Sequence, residues 1–266
     1  MSSSARIFAV SALALAAAIA APRASQAASC TYVNTPDQFD SFYMSGWGCQ
    51  QSRISDMWSR FSFDKGDWDE GFGYEDPCNN VKPLARTFNA LQLLAYSHTG
   101  APTCSTSGAN VLDWAYCWAG NNIDELDGRC SNGDARAFTQ GGPVIDNYTE
   151  LYWPFFYGET VVQRAGTIFH EARHMDGCAH NGQGGCPAGG ESCDRGWSDG
   201  CWGWWSGNGA NAYTVLYQWW FASTATWTTS TVRASAVSEA NFFLSQRFNT
   251  DPCFRLTSTG STFSVC

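Results

Sequence analysis

Charge is scarce in this chain. Asp, Glu, Lys and Arg make up 15% of its 266 residues, and the formal net charge is −9. A nucleic-acid binder needs a basic surface, so that class is excluded. Long apolar runs are missing after the first one, Ile7 to Ala21. That run follows Arg6 and leads into Ala24-Ser25-Gln26-Ala27-Ala28, the pattern of a secretory signal peptide cleaved after Ala27 or Ala28. Residues 1–27 are therefore expected to be a signal peptide. Residues 28–266 are expected to be one domain, secreted or periplasmic, with no membrane span. No internal repeat or low-complexity linker divides it.

No cysteine precedes Cys30, and all twelve follow the signal. An even count in an oxidising compartment implies disulfides throughout. Cys178, Cys186, Cys193 and Cys201 stand seven or eight residues apart, without the short C-x-x-C spacing of a thiolate zinc site. They are read as disulfides that shape a loop.

Histidine is rarer still, with four in the chain. Three of them fall in the run His170-Glu171-Ala172-Arg173-His174-Met175-Asp176-Gly177-Cys178-Ala179-His180. Histidines four apart share one helix face, so both imidazoles can reach one metal ion. The intervening Glu171 stands where a general base for a metal-activated water belongs. Gly177 lets the chain leave the helix, and His180 can turn back as a third ligand. An aspartate, Asp176, Asp194 or Asp199, is the alternative third ligand. His98 is read as serving helix C-terminal carbonyls instead of a metal.

The helical phase supports a site. Thr160 and Gln163 form a capping-box pattern, so a helix is expected over about 161–176. Val161, Ala165, Ile168, Phe169 and Ala172 share one face; His170 and His174 lie opposite, with Gln163 and Thr167 nearby. One face packs on the core and the other looks into a cleft. Other helices are expected at 81–97, 110–118, 212–222 and 231–248, and strands at 135–139 and 149–156. The segment from Cys30 to Pro77 reads as irregular and disulfide-tied. The aromatics Trp202, Trp204, Trp205, Tyr213, Tyr217, Trp219 and Trp220 read as core, with a sugar-stacking surface as the alternative. Tyr213 or Tyr217 is a candidate oxyanion donor. Asp64, Asp67, Asp69 and Glu70 read as a solvated loop.

His170 to His180 resembles the extended zinc signature of the metzincin metallopeptidases at its five fixed positions. The resemblance implies Zn2+ held by His170, His174 and His180, Glu171 as catalytic base, and a two-lobed zincin-like α+β fold around a central zinc helix. Metzincins also carry a methionine turn downstream, whereas Met1, Met44, Met57 and Met175 all precede His180. Another residue takes that place, or the chain forms a separate branch. Ala165 to Glu171 is also similar to the approach to the zinc helix in deuterolysin-like aspzincins. The expected function is a secreted, monomeric zinc metalloendopeptidase acting on protein or peptide substrates. The alternatives are a zinc amidase acting on cell-wall peptides and a noncatalytic, Trp-rich carbohydrate-binding or adhesion module.

Overall fold

In chain order the elements are α1 (Gln51–Arg60), α2 (Pro83–Tyr96), α3 (Ala115–Asn122), β1 (Glu125–Gly128), β2 (Ala137–Gly142), β3 (Ile145–Leu151), α4 (Trp153–Gly158), α5 (Val161–Met175), α6 (Ala210–Thr224), α7 (Ser230–Gln246), and the short β4 (Arg255–Leu256) and β5 (Phe263–Ser264). They come from a computed structural model that describes residues 30–36, 49–68, 71–98, 104, 110–130, 134–142, 145–180, 193–194, 209–249, 255–256 and 263–264. The expected signal peptide, Asp69, Glu70, Asp199, Trp202, Trp204, Trp205, and Cys186, Cys201, Cys253 and Cys266 lie outside these residues. The architecture is mixed α+β.

Two helices are central. α2 opens with Pro83, whose missing N–H costs nothing in a first turn. It is buried on every side, including Leu84, Phe88, Leu91 and Leu94. A helix apolar enough to be covered all round belongs in the core. Its one buried cation, Arg86, donates to the carbonyls of Thr35 (2.7 Å) and Phe156 (3.3 Å).

α5 packs against α2, α3, α6 and β2. Its start is fixed reciprocally: Gln163 N–H donates to Thr160 Oγ1 at 3.4 Å, and Thr160 N–H donates to Gln163 Oε1 at 2.8 Å. Its end is fixed by Gly177 at φ +86°, a left-handed conformation that glycine adopts freely. Val161, Ala165, Ile168, Phe169 and Ala172 are all buried. The expected core face is therefore the one that packs.

The principal sheet has the order β1-β3-β2, with β1 parallel and β2 antiparallel to β3. β2 is thus an edge strand. Its register shifts between Gln140 and Gly142. A side chain at Gly141 would collide with Asn147 Oδ1 at 2.2 Å and Met175 Sδ at 2.9 Å, so the strand hugs the end of α5 only because that position is bare.

Two expectations are corrected. The strand expected through residue 156 ends at Leu151, and residues 153–158 form α4. Pro154 suits a first helical turn and cannot donate to a ladder, and Phe155 and Phe156 are buried. Within the segment read as irregular, Gln51–Arg60 is helical, because Ile54 and Met57 bury one face against the core. Disulfides join Cys30 to Cys130, Cys49 to Cys78 and Cys104 to Cys117. Cys178 and Cys193 are each disulfide-bonded as well, which removes both from any thiolate site. No helix among the described residues is long and apolar enough to cross a membrane.

Candidate metal centre

α5 places His170 and His174 one turn apart on its open face, and the chain after Gly177 returns His180 to meet them. The three Nε2 atoms form a near-equilateral triangle: 3.1 Å between His170 and His174, 3.1 Å between His170 and His180, and 3.2 Å between His174 and His180.

The opposite ring nitrogens decide what that triangle is. His180 Nδ1 lies 2.6 Å from Asp194 Oδ1, and a carboxylate only accepts. His174 Nδ1 lies 2.5 Å from the carbonyl oxygen of Cys178, which also only accepts. His170 Nδ1 lies 3.1 Å from Thr214 Oγ1, whose own proton goes to the Ala210 carbonyl at 3.3 Å. Each Nδ1 is therefore the protonated nitrogen. Burial, then the neighbouring His174 and His180, holds His170 well below the usual imidazole range, so its ring is neutral. The three Nε2 atoms thus face one another across a space that could hold a metal ion.

The dimensions fit one. Nitrogen ligands at about 2.0–2.1 Å from a tetrahedral zinc stand roughly 3.3 Å from one another. The three ring nitrogens lie close enough together to hold one metal ion. Donation of the distal ring N–H to a carboxylate, a carbonyl or a hydroxyl is the usual way a protein orients metal-binding imidazoles.

Asp194, an alternative third ligand in the sequence, instead stands behind His180. It is fully buried, and its Oδ2 accepts from the Asn211 N–H at 2.9 Å. Asp176 is engaged by Arg173. The other expected residues are accounted for. Glu171 is 8% exposed and lines the same cleft of about 900 Å³ as the histidines. Its carboxylate accepts no hydrogen bond among the described residues. Edge strand β2 contributes Phe138 and Thr139 to the opposite wall. His98 pairs with Asp113 at 2.6 Å, not with helix carbonyls. Tyr213 and Tyr217 are buried beneath Phe169 and do not line the cleft, so neither is an oxyanion donor. Asp64 caps a turn, accepting from the N–H groups of Gly66 and Asp67 at 2.6 and 3.1 Å.

A layer of charge missed in the sequence lies on the other side of Glu171. Arg136 bonds Glu159 at 3.0 Å and approaches Glu239 at 3.7 Å. Thr167, one turn before the histidines, donates to Glu159 at 3.0 Å. Burial raises the Glu159 carboxyl to about 7 against the pull of Arg136. Comparison with protein-family models, with curated proteins and with solved structures returns no match for this chain.

Proposed function

We propose that this protein is a secreted zinc-dependent peptide-bond hydrolase of metzincin-like, two-lobed architecture. One observation carries the reading: three imidazoles with oriented rings bring their Nε2 atoms within 3.2 Å of one another in a cleft that also holds Glu171. Three neutral imidazoles suit zinc, and a structural zinc site would have four protein ligands, whereas three leave one position open. In such a site zinc supplies a Lewis acid that polarises a carbonyl and acidifies water.

The chain's own residues then do the following. Glu171, one position from His170 and free of hydrogen-bond partners among the described residues, accepts the proton of the attacking water. It returns that proton to the amine as the peptide C–N bond breaks. Asp194, Thr214 and the Cys178 carbonyl keep the three rings in the required tautomer. Edge strand β2 offers backbone N–H and C=O groups along the cleft, which suits an extended peptide. The disulfides agree with an oxidising compartment.

The test is digestion of a diverse peptide mixture by the zinc-loaded protein beside its Glu171→Gln variant, with cut sites read by mass spectrometry. Cleavage that the variant loses by about 10²-fold or more supports the reading. Folded, zinc-loaded protein that cuts nothing overturns it, and cell-wall peptide amides would be tried next.

A further inference from the structure

A second cavity, of about 220 Å³, shares the walls His170 and Glu171 with the main cleft and continues between Arg136 and Arg247. Two guanidinium groups at one small cavity are unusual in a chain this poor in cations. Arg136 spends one nitrogen on Glu159 and is 38% exposed. Arg247 makes no ion pair or hydrogen bond through its guanidinium among the described residues; the guanidinium carbon lies 6.0 Å from the centre of the Phe242 ring. Asp134 lines the same cavity without ion-pairing either arginine.

Arg247 is also held in place. Its carbonyl accepts from the Asp194 N–H at 3.1 Å and from Asn211 Nδ2 at 3.1 Å, and its N–H donates to the Phe243 carbonyl at 2.9 Å. The same Asp194 orients His180. The cationic wall and the histidine triangle are therefore built on one support. Burial, then the neighbouring Arg136, lowers the Arg247 guanidinium from its ordinary value, with Glu239 opposing, as groups sharing a small space must.

We infer that this cavity is a carboxylate-binding subsite, in which Arg247, flanked by Arg136, selects peptides carrying a carboxylate on the residue beside the scissile bond. The inference rests on the hydrolase reading for the words scissile bond, but the binding it describes does not need catalysis. A planar guanidinium matches a carboxylate with two parallel hydrogen bonds. The carboxylate has two sources, an Asp or Glu side chain or a peptide C-terminus.

Calorimetry on the zinc-loaded Glu171→Gln protein separates them. Three peptides are compared: one capped at both ends with a central Glu, the same with Gln, and the Gln peptide with a free C-terminus. The expected result is about tenfold tighter binding of one carboxylate peptide than of the capped Gln peptide. A preferred Glu peptide identifies a side-chain subsite, and a preferred free-terminus peptide identifies a C-terminal one. Adding Arg247→Gln should abolish the difference, while Arg247→Lys should retain part of it. Equal or no measurable binding of all three peptides, or a difference that survives Arg247→Gln, overturns the proposal. Cleavage by the wild type is read separately. Arg247-dependent binding without cleavage defeats the hydrolase reading alone, and cleavage without carboxylate preference defeats the subsite alone.

Discussion

Asp194 holds His180 by a 2.6 Å contact between Oδ1 and Nδ1, from a position with no solvent exposure. The carboxylate fixes the ring's tautomer and raises the basicity of the nitrogen that faces His170 and His174. Asp194→Asn keeps the shape and removes the charge. Its expected effect is a 10- to 100-fold loss of zinc affinity, in the range of about two decades known for such partners. Competition against a chromophoric chelator measures it. Unchanged affinity would show that Asp194 merely fills space.

Binding of an ion to the folded chain alone must stabilise it. With free zinc at about 1,000 times its dissociation constant the gain is about 4 kcal/mol, or roughly 10 °C in melting temperature for a chain of this size. His174→Ala should abolish that shift while leaving the metal-free melting temperature close to wild type, because His174 is half-buried and faces the cleft. Differential scanning calorimetry with and without a chelator decides it.

The pH dependence of stability should run against the common trend for carboxylates. Glu159, with a side chain 2% exposed, rises from 4.5 to about 7 on folding, and Asp127 rises from 3.8 to about 7, in each case mainly through burial. The folded state then binds these protons more tightly than the unfolded state. Their contribution is complete below about pH 4 and is lost as pH rises through 7. For Glu159 it is on the order of 3 kcal/mol. Urea titrations between pH 4 and 8 should show stability falling over that window, with a flatter slope in Glu159→Gln.

Gly166 of α5 faces α6. An added methyl would meet Gln218 Nε2 at 2.8 Å and Thr214 Cγ2 at 3.3 Å. Gly166→Ala gains about 1 kcal/mol of helix propensity but overpacks a buried contact at a cost of about 2 kcal/mol. A net loss of about 1 kcal/mol is expected in urea titration. Zinc affinity should fall with it, since Thr214 carries the hydrogen bond to His170.

The ligand run was legible because its logic is local. The four-residue spacing, the capping box at Thr160 and Gln163, and the left-handed Gly177 all act within α5 and its ends, and all appear in the structure. The histidine supports were not legible. Asp194 was weighed only as a ligand, and Thr214 lies 44 residues from His170 with no spacing that links them. Arg136 and Arg247 meet only because β2 and the end of α7 converge on α5. Residues 153–156 misled for another reason: Trp and Phe favour strands, but Pro154 and core burial of Phe155 and Phe156 override that preference.

The three histidines do not all come from one element. An arriving ion meets His170 and His174 already in register on α5, whereas His180 comes on the coil beyond Gly177. An ion held here would take two contacts from one helix and a third from the segment after it. Asp194, tied to α6 through Asn211 and to the end of α7 through Arg247, holds that third contact in place. The residence time of any ion held here would thus depend less on the helix that carries two of the histidines than on two helix ends outside the histidine run.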